Sequence, residues 1–303
     1  MAKIAYFLKE DFQAYFPYLL PGILTDMQQE IDIKLTSAAE ASEGAGVTMK
    51  IKGFEGEQRI SMNTSALEGK IAAFKLVSTI GENLSAAFLP YCEALIPVVL
   101  PGIAYQYSKA IRKFAMKTCV SALKAAGANG PAVLQQALLP AFLRQVAAGV
   151  ENQDLKGLKT LLKHLWLMFK ALNEAEEKNY LNEQHFAVMG PLLGKVLSIV
   201  KEAKAATMKS IQGGKKNFDL DEEDLERVKE ELAKVCGAAT YVMEISGQLV
   251  VGFGAQVAAT VKNHWLNFFA LSLNAYKQLS ESELLDATCF FCDFIEYANH
   301  GAD

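Results

Sequence analysis

Apolar residues recur every three or four positions between Ser108 and Val150, so they share one helix face while charged residues occupy the other. Gly127 follows the last apolar position of the first helix, where a glycine can adopt the left-handed conformation that ends a helix. Pro131 suits the first turn of a second helix because proline has no N–H. Within that second helix Pro140 removes one backbone hydrogen bond, so we expect a bend there. The segment is therefore predicted to form a helical hairpin.

The same two-helix pattern recurs along most of the chain. First helices are predicted to end at Gly81, Gly127, Asn173 and Gly247, and 46 residues separate Gly81 from Gly127 and again Gly127 from Asn173. Because one hairpin leaves apolar surface uncovered, a two-helix repeat of this length is typical of stacked HEAT units. The other predicted helices are Phe12 to Gln28, Asn63 to Asn83 with Leu84 to Gln106, Asp154 to Asn173 with Leu181 to Ser210, Leu225 to Ser246 with Leu249 to Asn274, and a final unpartnered helix Glu281 to Tyr297.

Prolines also recur in the second helices. The sequence FPYLLPGIL around Pro17 and Pro21 resembles IPVVLPGIA around Pro97 and Pro101, and single prolines follow at Pro140 and Pro191.

Two segments interrupt the helical pattern. In residues 29–62 the helical period is lost and Val47, Met49 and Ile51 alternate with polar neighbours, so we interpret this segment as an exposed insert, with a small β-hairpin as one option. Residues 213–224, GGKKNFDLDEED, are predicted to form an acidic loop leading into a helix. We therefore predict one domain over residues 1–303, an all-α, right-handed solenoid of about four to five HEAT-type hairpins.

Composition narrows the classes of function. The chain is 51% hydrophobic and carries a net charge of −4, which argues against global disorder and against a strongly basic nucleic-acid-binding protein. Five cysteines scattered in apolar patterns, and the absence of a charged-then-apolar leader, favour a reducing compartment, cytosolic or nuclear. The stretch from Val235 to Val261, with Glu244 as its only charge, is long enough to span a membrane. We favour two buried helices joined by a turn at 246–248.

Candidate chemistry is sparse. Cys289-x-x-Cys292 lacks a second pair at zinc spacing, so we expect both thiols to pack in the core. No phosphate-loop or dinucleotide fingerprint is complete, so we expect no metal, no cofactor and no enzymatic activity. The histidines are widely separated and form no metal-binding motif: they are His164, His185, His264 and His300.

Two features could bind proteins. The acidic stretch is either a patch for basic cargo peptides or a solvated loop; its residues are Asp219, Asp221, Glu222, Glu223 and Asp224. The second helices of the hairpins, which line the concave side of HEAT solenoids, carry few charges, and this pattern fits either peptide binding or packing between repeats. Their charged residues are Glu93, Arg144, Lys195 and Lys262, among Tyr91, Gln135, Gln136, Gln256, Asn263, Trp265 and Asn267.

Several segments, taken in order, resemble a known family. They are YFPYLLPGILTDM, TSALEGKIAAFKLV, LPYCEALIPVVLPGI, IRKFAMKTCVSAL, LNEQHFAVMGPLLGKVL, DLDEEDLERV and LLDATCFFCDFIEY. From about Asp11 to Asn299 the chain resembles the importin-beta (karyopherin-beta) nuclear transport receptors, most closely the importin beta-3 (Ran-binding protein 5) branch. The resemblance corresponds to a middle-to-late portion of a full receptor.

The resemblance implies a receptor, or a fragment of one, that binds cargo with basic nuclear localisation segments, contacts nucleoporins, and releases cargo when GTP-bound Ran binds. It implies a location in cytoplasm, nucleus and nuclear pore, with no direct binding of nucleic acid or membrane. The amino-terminal arch that provides the family's main Ran and nucleoporin contacts has no counterpart in this sequence. The alternative is a HEAT scaffold subunit of a phosphatase or chromosome-associated complex.

Overall fold

The computed structural model describes residues 2–31, 33–37, 58–62, 64–177, 180–212, 222–272 and 281–298. They form α1 (Ala2–Leu8), a 3₁₀ turn (Lys9–Ala14), α2 (Phe16–Gln28), β1 (Ile33–Ser37), β2 (Gln58–Met62), α3 (Thr64–Leu84), a 3₁₀ turn (Ser85–Phe88), α4 (Leu89–Ile103), α5 (Lys109–Ala126), a 3₁₀ turn (Gly127–Asn129), α6 (Gly130–Val133), a π-helical segment (Leu134–Leu138), α7 (Leu139–Glu151), α8 (Leu155–Glu174), α9 (Glu183–Gln212), α10 (Glu222–Phe253), α11 (Ala255–Thr260), a second π-helical segment (Val261–Trp265), α12 (Leu266–Ser272) and α13 (Glu281–Ala298). The chain divides into two compact units, Met1–Ala125 and Ala126–Asp303.

In the first unit, first helices pack on first helices and second helices on second helices. Helix α1 lies against α3, and α2 lies against α4. Large apolar side chains fill the space between them, with Phe16 0% exposed and stacked 6.3 Å from Phe88. Such two-layer packing is how HEAT units bury the apolar face that one hairpin leaves uncovered.

The interruption expected at residues 29–62 contains a short antiparallel sheet. Strand β1 pairs with β2 in a register that sets Ile33 opposite Met62 and Ser37 opposite Gln58. These strands lie at the two ends of the insert, whereas the alternating residues Val47, Met49 and Ile51 fall outside the described residues.

The second unit repeats the two-layer arrangement. Helices α8, α10 and α13 form a layer of first helices, with α10 in the middle, and α7, α9 and α11 with its following π segment form the layer of second helices. Asp154, as predicted, begins α8, where its Oδ1 accepts a 3.0 Å hydrogen bond from the Gly157 N–H. The indole of Trp265 is fully buried and donates a 3.0 Å hydrogen bond to the Gly190 carbonyl, which joins the second π segment to α9.

A polar network joins three successive hairpins of this unit. Asn173 Nδ2 donates to the backbone oxygen of Gln248 at 2.7 Å and to its Oε1 at 3.1 Å. Asn173 Oδ1 accepts from the Tyr180 hydroxyl at 2.9 Å, and Tyr180 O accepts from Gln135 Nε2 at 3.1 Å. Burial raises the pKa of the Tyr180 hydroxyl far above its usual value, so Tyr180 remains a donor at all ordinary pH values.

The turn between the two helices of each hairpin contains a residue with positive φ. These residues are Lys9, Ser85, Gly127, Glu176 and Gly254, with φ between 49° and 55°. The stop predicted at Gly127 and the early-helix position of Pro131 are confirmed.

Two predicted helix ends are wrong. Gly81 lies inside α3, where an added Cβ would sit 3.0 Å from Ser121 Cβ, so this glycine permits close packing rather than a turn. The turn predicted at residues 246–248 is part of the continuous helix α10, and the chain reverses only at Gly254. Ser246 lies within the helix, fully buried, and its hydroxyl is satisfied by donating to the Val242 carbonyl at 2.7 Å.

Helix α13 also differs from expectation, because it has packing partners. It lies against α10, α11 and α12, with Phe290 and Phe269 ring centroids 4.4 Å apart. Cys289 and Cys292, predicted to be core residues, are exposed on the side of α13 opposite buried Ala287 and Phe290. Cysteine behaves as a small apolar residue in a sequence pattern. The helical period alone therefore does not show whether these two thiols lie on the buried or the exposed side of α13.

Two helical stretches meet the length and composition needed to cross a membrane, Thr64–Ile103 and Glu230–Phe253. Buried core helices meet the same requirement. The first stretch contains the turn at Ser85, and the second is the portion of α10 that packs between α8 and α13.

Candidate protein-binding surface

Equivalent exposed positions on the second helices define a candidate binding surface in each unit separately. Four second helices carry a proline two residues before a buried apolar residue, and the fifth carries asparagine there; the exposed residues are Pro21, Pro97, Pro140, Pro191 and Asn267, and the buried ones are Ile23, Val99, Phe142, Leu193 and Phe269. We call the exposed set the proline row. In the first unit, Pro21 follows the positive-φ residue Lys9 by 12 residues, and Pro97 follows Ser85 by the same number.

The structural register of these prolines differs from the register of the repeated proline motif. Sequence similarity aligns Pro17 with Pro97 and Pro21 with Pro101, whereas the structure makes Pro21 equivalent to Pro97. The correct register follows from the buried side chains, since Phe12 corresponds to Phe88. The spacing of apolar residues in the sequence contained this register, but the alignment was made on the repeated prolines instead.

The π-helical segments account for a one-residue difference between repeats. Each begins seven residues after a positive-φ glycine, at Leu134 after Gly127 and at Val261 after Gly254. A π turn accommodates one extra residue in a helix, which brings Pro140 and Asn267 to the position held by Pro97. One such widened turn, Leu134–Leu138, precedes Pro140, and the bend expected at Pro140 stays a prediction.

Each proline changes the chemistry of the face on which it lies. Proline has no N–H, so the carbonyl four residues earlier loses its usual helical donor. In the second unit these carbonyls belong to Gln136 and Ala187, both exposed. Two backbone carbonyls of these helices are thus left without their usual helical N–H donor.

We call the exposed side of α7, α9, α11 and α12 the second-helix face of the second unit. Four residues before the proline row it carries Gln136, Ala187 and Asn263, and four residues after it carries Arg144 and Lys195. All five are exposed. Residues of equal helix position on neighbouring helices form rows that cross the helices, which suits an extended ligand.

Several residues predicted for this surface are used for packing. Trp265 is buried, and Gln135 is committed to the Tyr180 carbonyl. In the first unit Tyr91 lies with its ring 4.6 Å from that of Phe16. The remaining predicted residues are exposed: Glu93, Gln136, Arg144, Lys195, Gln256, Lys262, Asn263 and Asn267.

The second helices of the first unit present a different surface. Tyr18 is 85% exposed on α2, and the exposed residues of α4 include Pro90, Pro97, Pro101 and a single charged side chain, Glu93. This surface is apolar and rigid, because proline rings and a tyrosine lose little conformational freedom on binding.

The five acidic residues proposed as a protein-binding patch are only partly placed. Glu222, Glu223 and Asp224 begin helix α10. Asp219 and Asp221 lie outside the described residues. The assignment of this patch therefore stays a prediction.

The histidines, cysteines and carboxylates in the described ranges are dispersed over the fold. In those ranges, no group of three or more His, Cys, Asp or Glu residues is arranged to hold a metal ion. His185 instead caps α9, where Nδ1 accepts from the Asn182 N–H at 3.1 Å, and burial lowers its pKa.

No family model matches the sequence. Solved structures of the karyopherin Kap121p are similar in fold. The structure of Kap121p bound to the extreme C-terminus of the protein phosphatase Cdc14p has a TM-score of 0.69 at 16% identity, covering 98% of this chain and 27% of that chain. Kap121p bound to RanGTP gives a TM-score of 0.68 at 14% identity, and Kap121p bound to Nup53p gives 0.67 at 15%; each covers 99% of this chain and 26% of that chain.

The chain thus spans about a quarter of the length of the solved chains it matches. At these identities the similarity establishes the fold and no more. The predicted fold class, an all-α solenoid of HEAT-type helical hairpins, is confirmed.

Proposed function

We propose that this chain acts as a protein-binding receptor of the nuclear transport type, or as part of one. The observation that carries the proposal is the fold similarity over 98–99% of the chain to Kap121p, which has been solved with RanGTP and with Nup53p. The described residues present rows of exposed side chains on second helices, a surface suited to binding and not to catalysis.

The finer assignment rests on the resemblance of the sequence segments and on their order. We infer the importin beta-3 (Ran-binding protein 5) branch, protein cargo released by Ran·GTP, contacts with nucleoporins, and shuttling between cytoplasm and nucleus through the pore. The neighbours support these partner kinds because Kap121p structures contain Pho4p, Nup53p or RanGTP.

The acidic residues Asp219 to Asp224 are our proposed contact for basic cargo segments. Five carboxylates within six positions attract lysine and arginine side chains over a distance of about one Debye length, ~8–10 Å. Replacing Asp219, Asp221, Glu222, Glu223 and Asp224 together with Asn or Gln should weaken binding of basic peptides and leave binding of Ran unchanged. Fluorescence anisotropy with a labelled basic peptide measures the first effect.

The proposal is tested by capturing proteins from a cell lysate on the immobilised chain and washing in parallel with Ran·GTP and Ran·GDP. A transport receptor is expected to release nuclear proteins into the Ran·GTP wash alone. Partners retained in both washes would instead favour a fixed HEAT scaffold, such as a subunit of a phosphatase or chromosome-associated complex. Running the full-length gene product alongside separates a scaffold from a receptor portion that lacks the main Ran contacts.

A further inference from the structure

We propose that the second-helix face of the second unit binds an extended acidic peptide whose carboxylates are three residues apart. The contacts are Arg144 on α7 and Lys195 on α9, which we call the basic row. This proposal rests on the proposed function in one respect: a protein-binding receptor and the acidic-peptide site both require a ligand on the second helices.

The charge of this face is one-sided. No Asp or Glu occurs in residues 131–150, 184–201 or 254–272, which contain the central parts of its helices. Arg144, Lys195 and Lys262 are exposed there, and none of the three has an ion pair among the residues that the structure places. A ligand with carboxylates would gain Coulomb attraction at the face, whereas a basic ligand would be repelled.

The basic row sets a spacing for the ligand. Helices α7 and α9 are neighbours, and Arg144 and Lys195 each follow their proline by four residues, so they occupy equivalent helix positions. Packed helices lie ~8–10 Å apart, and an extended polyproline-II chain has three residues per turn and rises ~3.1 Å per residue, so its side chains at i and i+3 point to the same side about 9 Å apart. A peptide crossing both helices therefore presents a carboxylate to each cation at a spacing of three residues.

Acidic residues bound the row on one side. Glu151 and Glu202 are exposed and follow Arg144 and Lys195 by seven residues each, a distance of about 10 Å along a helix. These two carboxylates would repel a peptide carboxylate displaced toward the C-terminal ends of the helices, so they favour binding of the peptide at the level of the basic row.

Uncharged polar groups on the other side can satisfy the peptide backbone. The carboxamides of Gln136 and Asn263 are exposed four residues before the proline row, each at the same place in a π segment, and Asn267 lies within the row. Carboxamides both donate and accept hydrogen bonds, as backbone N–H and C=O groups require. The carbonyls of Gln136 and Ala187, deprived of their helical donors by proline, add acceptors for peptide N–H groups.

The test uses fluorescence anisotropy of the intact chain with labelled Gly/Ser peptides containing two pairs of Glu at i and i+3. Matched peptides place Glu at i and i+2, or replace Glu by Lys. The i, i+3 acidic peptide is expected to bind at least about tenfold more tightly than the Lys peptide, with affinity falling as salt rises. Equal or tighter binding of the Lys peptide would overturn the proposal.

Charge reversal supplies the second arm. The double substitution Arg144→Glu with Lys195→Glu should weaken the acidic peptide about tenfold or more and make the Lys peptide the better ligand. Lys156→Glu with Lys163→Glu, on the exposed side of α8, changes net charge equally and should leave affinity within about twofold. Circular dichroism confirms folding of each variant. If both double variants weaken binding alike, the effect is net charge and the assigned row is wrong.

The two proposals can fail separately. Nucleotide-dependent Ran binding without selectivity for the acidic peptide would refute only the basic row. Selective acidic-peptide binding without any response to Ran would refute only the transport assignment.

Discussion

At the scale of single residues, the second unit depends on polar side chains that join hairpins as much as on its apolar core. Asn173 satisfies two donor and one acceptor positions with Gln248 and Tyr180, and Gly252 leaves the room that these groups need. No periodic pattern indicated this network, because Asn173 was interpreted as a helix end. A buried side-chain network depends on partners 75 residues away, which local pattern cannot reveal.

Replacing Asn173 with Ala should lower the free energy of unfolding by about 2–3 kcal/mol, because the buried Tyr180 hydroxyl loses its acceptor and the Gln248 carbonyl and carboxamide lose the donor that joins them to α8. Urea denaturation measures the loss. Asn152→Ala is the control, since the Asn152 side chain bonds only to Ala148 O at an exposed helix end and should cost less than about 0.5 kcal/mol. Equal losses in the two variants would contradict a structural role for the network.

Cysteine accessibility provides a second residue-scale prediction. Burial raises the pKa of the Cys92 thiol to about 11 and that of Cys119 to about 12, so almost no reactive thiolate forms at pH 8. Cys236 is also buried, whereas Cys289 and Cys292 are exposed. Iodoacetamide should therefore modify two thiols in the native chain and five in urea, as counted by mass spectrometry. Rapid native labelling at Cys119 would contradict the packing of α5.

At the scale of helices and turns, the hairpin pattern was predictable because amphipathic periodicity reflects burial directly. The prediction at Gly127 succeeded, since that glycine has a φ of 51° and ends a helix. It failed at Gly247, because glycine in sequence does not distinguish a turn from a close helix contact. Gly247 is buried in α10, where an added Cβ would lie 3.0 Å from Asp293 Oδ2.

Alanine substitutions at these glycines test where the turn lies. Gly254→Ala should destabilise the chain by about 1–2 kcal/mol, because Gly254 has a φ of 50° that an L-residue adopts at a cost. Gly247→Ala should cost less, since the gain in helix propensity offsets a displaced carboxylate. Thermal unfolding ranks the two variants. The reverse order would place the turn at Gly247.

The docking of α13 should depend on pH through Asp293. Burial, assisted by the nearby charge of Glu296, raises the pKa of the Asp293 carboxyl above its usual 3.8. The folded state therefore holds this proton more tightly than the unfolded state, and the charged form costs stability once pH rises above 3.8. Asp293→Asn should raise the Tm at pH 7, and the gain should vanish below pH 3.8.

Exposed Glu68→Gln on α3 removes the same charge as a control and should leave the Tm nearly unchanged at both pH values. An equal rise in Tm for Glu68→Gln and Asp293→Asn would assign the effect to net charge.

At the scale of the whole molecule, the fold class could be predicted because repetition makes each hairpin evidence for the others. The binding surface could be predicted only in part. Periodicity identified the second helices and the exposed Gln136, Asn263 and Asn267, but it could not separate Trp265, which packs inward. Whether residues 1–303 form one continuous domain stays a prediction. The chain spans about a quarter of the length of the solved chains it matches, so any role it shares with them also stays a prediction.

The transport assignment depends most directly on the equilibrium binding of Ran to the full-length gene product, compared between Ran·GTP and Ran·GDP by biolayer interferometry. Nucleotide selectivity separates a transport receptor from other HEAT proteins, which share the fold without it. We expect Ran·GTP to bind at least about tenfold more tightly than Ran·GDP, a difference of about 1.4 kcal/mol. No binding of Ran in either nucleotide state would contradict it.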